Sequence, residues 1–181
     1  MDLYAQNENV GLPEIVTARL RLRAPNARDA APLVKAINDY EVSKWLAVVP
    51  YPYDLADATW FISEVSKGHF TAWHIWLGEQ LVGCIGVEDG SLGYWLAREF
   101  WGQGIATEAA QAIVDHYFAE SGAEQMVSSY FVGNEGSCNV LTKLGFCDAG
   151  PKVTAALARG CDVQARRMVL TRADWQRRQN G

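Results

Sequence analysis

Apolar and polar residues alternate strictly from Thr17 to Arg23, where Leu20 and Leu22 are flanked by Arg19, Arg21 and Arg23. A period of two marks a strand with one face buried. The period changes after Asn26, which offers a helix cap with Asp29 three residues on, while Ala30, Leu33, Val34 and Ile37 follow at helical spacing. Val49 to Tyr53 carries two prolines and two tyrosines and predicts a loop. Asp54 and Asp57 repeat the capping pattern and open a helix through Trp60, Phe61 and Val65 to Gly68. Thr71 to Leu77, rich in Trp and Ile, predicts a strand. Gly78-Glu79 makes a two-residue turn, and Gln80 to Val87 returns. Asp89-Gly90 is a strong hairpin signal, with Ser91 to Leu96 as the next strand.

Ile105, Ala109, Ala112, Ile113 and Tyr117 outline an amphipathic helix that begins at Gly104 and stops near Gly122. Gln125 to Val132 predicts a strand. Asn134 opens a short helix closed by Leu144-Gly145-Phe146, with Gly145 in the left-handed position and Phe146 packing back on Leu141. Val163 to Leu170 is the last strand. An antiparallel run followed by strand-helix-strand-helix predicts one mixed sheet with helices on its faces.

The 181 residues make one domain, long enough to bury about 70% of the surface of the unfolded chain. Hydrophobic residues at 49% and charged residues at 20% exclude a disordered or fibrous chain. Sixteen basic against twenty-one acidic residues give a net charge of −5, which argues against a nucleic-acid partner. No apolar run reaches the ~18 residues of a membrane span. Met1-Asp2-Leu3-Tyr4 shows no basic n-region and no apolar h-region, so a cytoplasmic protein is expected. Cys84, Cys138, Cys147 and Cys161 lack ligand spacing to one another or to a histidine, so they read as reduced thiols and no metal is implied.

The informative stretch is Gly93-Tyr94-Trp95-Leu96 running into Trp101-Gly102-Gln103-Gly104-Ile105-Ala106-Thr107. A strand enters a double-glycine loop and a helix begins. Glycines let main chain approach a ligand, and the unpaired N–H groups of a helix start suit a phosphate. No lysine follows Gly104, which excludes the nucleoside-triphosphate loop. Thr107 stands where a dinucleotide fingerprint has its third glycine, which speaks against a nucleotide-dependent oxidoreductase.

With Asn134-Glu135-Gly136-Ser137 and Lys143-Leu144-Gly145-Phe146 following in order, the chain resembles the GNAT superfamily of acyl-CoA N-acyltransferases. Within it the chain is similar to the RimJ/RimL-type ribosomal-protein N-terminal acetyltransferases, over roughly 17–171, with 1–16 as an N-terminal extension. Thr17 to Arg23 resembles that branch's opening strand, Gly93 to Leu96 its fourth strand, and Trp101 to Ala109 its pyrophosphate loop. The resemblance implies an α+β fold: a central, mostly antiparallel sheet of about seven strands with helices on both faces and a gap between the family's fourth and fifth strands. It also implies transfer of acetyl from acetyl-CoA to a primary amine by direct attack in a ternary complex, without a metal. By the same resemblance, the Trp95 and Leu96 backbone would pair with pantetheine, and Trp101, Gly102, Gln103, Gly104, Ile105, Ala106 and Thr107 would form the loop that holds the pyrophosphate. Asn134 would touch the pantetheine arm, and Ser137 would stand near the sulfur and return its proton.

Three departures from the family pattern follow. Trp101 fills a loop position that is usually Arg or Gln. Leu141 replaces a frequent tyrosine, and Ser91 replaces a frequent glutamate. The base is then Glu88 or an ordered water. Freeing the lone pair of a lysine costs about 4 kcal/mol at neutral pH and that of an α-amine under ~1, which favours a weakly basic acceptor such as a protein N-terminus. Polyamines, aminoglycoside-like amines and amino acids are the alternative acceptors, and a non-catalytic acetyl-CoA-binding regulator is a further alternative. Trp45, Tyr51 and Tyr53 lie in the segment that covers the acceptor cleft in the family and are candidates for a cation-binding aromatic wall. His69, His74 and His116 read as structural. Arg166, Arg167, Arg172, Arg177 and Arg178 read as a solvated basic tail. Monomer and homodimer both remain open.

Overall fold

The computed structural model describes residues 11–180. Eight strands form one sheet: β1 (Ile15–Val16), β2 (Leu20–Arg23), β3 (Ala72–Leu77), β4 (Gln80–Glu88), β5 (Ser91–Leu96), β6 (Gln125–Phe131), β7 (Cys147–Ala156) and β8 (Cys161–Thr171). Their order is β1-β2-β3-β4-β5-β6-β8-β7, and every pairing is antiparallel except β5 with β6. The helices are α1 (Ala30–Ile37), α2 (Tyr40–Ser43), α3 (Leu55–Ser66), α4 (Ile105–Glu120), α5 (Glu135–Lys143) and α6 (Arg172–Gln179). The expected mixed, mostly antiparallel sheet is present.

The capping residues act as read. Asn26 and Asp54 each form a reciprocal box, with Asp29 and Asp57 respectively. Asp89 and Gly90 both take positive φ, the geometry of a tight hairpin turn. In α4 the buried stripe is Ile105, Ala109, Ala110, Ile113, Val114 and Phe118, rotated from the expected one, so that Ala112 and Tyr117 sit at its margin. This stripe packs with Leu22, Trp73, Ile75, Ile85 and Leu92 on one face of the sheet. On the other face α1 and α3 bury Leu33, Ile37, Ala58 and Ile62 against Trp76 and Leu81. Each large side chain so buried contributes about 1.5–3 kcal/mol.

Besides the short β1, three elements escaped the sequence reading. Helix α2 is a single capped turn at Asp39. Strand β7 is exposed along most of its length and breaks register between Asp148 and Pro151, as an edge strand containing proline must. Helix α6 has no buried residue, yet it is not a solvated tail. Arg172 donates to the carbonyls of Phe118, Ser121 and Ala123, and Arg178 to that of Lys143. The expected core also begins earlier than 17, since Ile15–Val16 pair with β2 and Trp73 Nε1–H donates to the Pro13 carbonyl at 2.8 Å. Residues 1–10 of the expected N-terminal extension lie outside the described residues.

Beneath α1, Arg23 grips Asp29 with two hydrogen bonds of 2.8 Å, and His74 Nδ1 lies 2.9 Å from Asp29 Oδ2. Burial raises the Asp29 carboxyl, but hydrogen bonds from His74, Arg23 and the Asn26 N–H outweigh it and hold it well below the usual carboxylate range. Burial pushes His74 down against the pull of Asp29, and its buried Nε2 has no partner among the described residues. Neutral His74 then donates from Nδ1. Both groups have folded values below their unfolded ones, so the unfolded chain binds more protons and stability rises with pH. We expect the urea midpoint to decline as pH falls through about 6.5, where His74 of the unfolded chain takes up a proton, and again below about 4, where its Asp29 does. A midpoint constant from pH 8 to pH 5 would contradict a neutral buried His74.

Candidate active site

Between β5 and α4 the chain makes a short 3₁₀ turn, Arg98–Phe100, and then a bend. Gly102 and Gly104 there have φ of +73° and +75°, which glycine adopts without strain. A Cβ on Gly102 would meet nothing within 4 Å. Side chains of the bend brace it. Trp101 Nε1–H donates to the Leu96 carbonyl at 2.9 Å, and Gln103 Nε2–H to the Glu99 carbonyl at 2.8 Å. Among the described residues, no main-chain N–H from Gly102 to Thr107 donates to a protein acceptor; the first bond at the head of α4 is Glu108 N–H to the Gly104 carbonyl, 3.0 Å. A row of aimed, unsatisfied donors at a helix start is an anion cradle.

The bend opens into a gap in the sheet. β5 and β6 pair only at Ser91–Val127 and Leu92–Ser128, although the strands continue to Leu96 and Phe131. Ser128 Oγ–H donates to the Leu92 carbonyl at 2.8 Å and closes the apex. The bond from Ala97 N–H to the Val82 carbonyl sets the phase of β5 against β4. Alternation then turns the main-chain groups of Leu92, Tyr94 and Leu96 toward β6. Trp101 occupies the Leu96 carbonyl, so Tyr94 N–H, Tyr94 C=O and Leu96 N–H face the opening. The main-chain groups of Trp95 point to β4, opposite Cys84.

Asn134 caps α5, accepting from Ser137 N–H at 3.1 Å, and so sets Ser137 in the first turn. Ser137 Oγ lies 3.0 Å from the Tyr94 hydroxyl, which also reaches the Ser137 carbonyl at 3.3 Å. This pair bridges the opening from β5 to α5. Burial pushes the Tyr94 phenol up to about 12, with the Ser137 hydrogen bond pulling the other way, so it stays protonated at neutral pH. Sequence reasoning missed Tyr94; its alternation with Leu92 and Leu96 on one strand face was the available signal. Tyr130 on β6 is also raised to about 12, first by its hydrogen bond with Cys138.

Glu88 is not brought to this pair. It ends β4 opposite Ser91, three rows from Tyr94, about 10 Å along the strand and on the other sheet face. Its Oε2 lies 3.4 Å from Thr71 N–H. Nor do Trp45, Tyr51 and Tyr53 form one wall. Tyr53 is 7% exposed in the core under α1 and α3. Tyr51 packs edge-on against Tyr40 at 5.3 Å. Trp45 does reach the site, since a Cβ on Gly133, beside Asn134, would touch its ring at 3.7 Å. Arg159 already stacks on that ring at 4.8 Å and donates to the Lys44 carbonyl at 2.6 Å. No group of three or more His, Cys, Asp or Glu among the described residues could hold a metal ion, and no described helix is long and apolar enough to cross a membrane.

Residues 19–147 match the model of the acetyltransferase (GNAT) domain. The uncharacterized N-acetyltransferase p20 of Bacillus licheniformis is 28% identical over 149 residues, covering 75% of this chain and 83% of that protein. The crystal structure of ribosomal-protein-S5-alanine acetyltransferase from Vibrio fischeri superposes with a TM-score of 0.78 at 17% identity, over 90% of this chain and 98% of that one. RimL, a ribosomal L7/L12 α-N-protein acetyltransferase in complex with coenzyme A, superposes at 0.74 with 19% identity, over 87% of this chain and 96% of that one.

Proposed function

The chain belongs to the GNAT acetyltransferase family, and on that footing we propose that it carries acetyl from acetyl-CoA to a primary amine of low pKa, a protein or peptide N-terminal α-amine. The observation that carries the reading is the run of unsatisfied amides from Gly102 to Thr107 at the mouth of the gap that Tyr94 and Ser137 bridge. Acetyl-CoA supplies an activated acyl thioester. The loop amides hold its diphosphate. Leu96 N–H and Tyr94 C=O serve the pantetheine amides as a strand would. Tyr94 N–H, nearer the apex, polarises the thioester carbonyl. As the amine nitrogen forms the new C–N bond and the C–S bond breaks, Ser137 gives its Oγ proton to the leaving sulfur, the Tyr94 hydroxyl reprotonates Ser137, and Tyr94 regains a proton from water, which also receives the one the amine loses. Asn134 keeps Ser137 in place through the α5 cap. The proton lost by the amine leaves through water, since Glu88 is out of direct reach of Tyr94 N–H. That route suits an acceptor already partly neutral at physiological pH. Trp45, whose ring lies beside Gly133, is the remaining aromatic candidate for the acceptor side.

Initial rates with a peptide free only at its N-terminus, a peptide free only at lysine, and a polyamine test the acceptor between pH 6.5 and pH 9. The α-amine should be faster at pH 7.4, with lysine gaining as pH rises. A faster lysine or polyamine at neutral pH would defeat the proposal. Ser137→Ala should lower kcat by about a hundredfold, the scale of a lost general acid, with coenzyme Kd within about threefold. Equal losses in kcat and affinity would reduce Ser137 to a positioning group.

A further inference from the structure

The bend of Trp101 to Thr107 has no cation of its own, and the indole at its first position is spent on the Leu96 carbonyl. Arg19, eighty-odd residues earlier in the chain, fills that lack. It enters just before β2 and lays its guanidinium against the bend. Arg19 Nε–H donates to Glu108 Oε2 at 2.6 Å, and one terminal N–H group to the Gln103 carbonyl at 3.1 Å. The other terminal nitrogen stands 3.5 Å from where a Cβ on Gly104 would lie and has no partner among the described residues. The side chain is 46% exposed, so this edge is open to a ligand.

Glu108 is what makes the placement rigid. Its carboxylate also accepts from the Thr17 hydroxyl at 2.6 Å and from Arg19 N–H at 2.9 Å. Burial raises the Glu108 carboxyl, but these hydrogen bonds outweigh it, so the anion that anchors Arg19 persists at neutral pH. Held on two sides, a guanidinium surrenders little side-chain freedom when a phosphate arrives. Glu108 alone would repel such a ligand, and Arg19 cancels it.

We propose that Arg19 is a coenzyme-binding residue, supplying from outside the glycine bend the cationic contact to the diphosphate of coenzyme A that Trp101 cannot make. The inference rests on the acetyltransferase reading above, and its test separates the two. Calorimetric titrations compare coenzyme A with S-acetylpantetheine, which lacks the diphosphate, on the wild type, Arg19→Met, Arg19→Lys and Glu108→Gln, each first checked by circular dichroism. Arg19→Met should weaken coenzyme A about tenfold while leaving S-acetylpantetheine within about twofold, and Arg19→Lys should recover part of the loss, on the scale of one charge-assisted contact. Glu108→Gln loosens the anchor of Arg19 but also removes the competing anion, so it should change coenzyme A affinity by less than about threefold. If Arg19→Met and Glu108→Gln weaken coenzyme A alike, Arg19 is only a brace of the loop and the proposal is overturned. It is also overturned if Arg19→Met weakens both ligands equally, or weakens neither. A wild type that binds no coenzyme A would instead defeat the acetyltransferase reading itself.

Discussion

Gly104→Glu should lose coenzyme A binding by at least about a hundredfold, or ~2.7 kcal/mol, while the protein stays folded. Gly104 begins α4 at φ +75°, and its missing side chain leaves the amides of Ile105, Ala106 and Thr107 open at the helix start. A glutamate there places a carboxylate where the diphosphate belongs, at the positive end of the helix dipole and within reach of Arg19. The substitution carries two separate costs. One is backbone strain, roughly 1–2 kcal/mol for a side chain in the left-handed region. The other is the competing anion. Gly104→Ala carries only the first, and should lower the melting temperature by a few degrees with less than about tenfold loss of affinity. Calorimetric Kd values and melting curves for both variants decide the matter. Unchanged affinity in Gly104→Glu would remove the bend from the coenzyme site.

Gly83→Ala should be the most destabilising single methyl addition in the sheet. A Cβ at Gly83 would lie 2.2 Å from the Trp95 carbonyl oxygen, 2.7 Å from Leu96 Cδ2 and 3.1 Å from Leu96 Cα. Two of these are main-chain atoms of β5 and cannot rotate away, so β4 and β5 must part. Overpacking of this kind costs about 3 kcal/mol. At ~2–4 °C per kcal/mol for a chain of this size, the melting point should fall by roughly 6–12 °C. Because β5 carries Tyr94 and Leu96, coenzyme affinity should fall as well. Gly93→Ala is the control. It lies on the same strand pair, a Cβ there meets nothing within 4 Å, and its change should stay within about 0.5 kcal/mol. Equal melting points for the two variants would contradict the close approach at Gly83.

The elements that burial writes into a local pattern were legible in the sequence. The pattern of Ser91–Leu96 marks that strand to the residue, and the caps at Asn26, Asp54 and Asn134 each do what their side chains dictate. Strand β7 could not be read, because an exposed edge with Gly150-Pro151 in its bulge has no alternation to show. Nor could α6, whose ties run from arginines to distant carbonyls rather than through an apolar face. At the site, the glycine bend and Ser137 are local motifs and were visible. Which strand edge faces the opening was not, since phase against β4 depends on tertiary pairing; that phase turns the main chain of Tyr94, not Trp95, to the opening. The Tyr94–Ser137 contact joins residues 43 apart, and Arg19–Glu108 residues 89 apart; no short window contains either pair.

The early parting of β5 and β6 has a bearing on how the molecule withstands heat. Past Leu92 and Ser128 the two strands forgo the cross-links that hold the rest of the sheet, and of β5's facing groups the Leu96 carbonyl is taken by Trp101. In the proposed binding mode, the pantetheine of coenzyme A along that seam would act as a surrogate strand, stitching the two halves of the sheet together. Its affinity is then also a folding term, growing as RT ln(1 + [L]/Kd). If coenzyme A binds there as proposed, the melting temperature of this protein gauges how much coenzyme surrounds it.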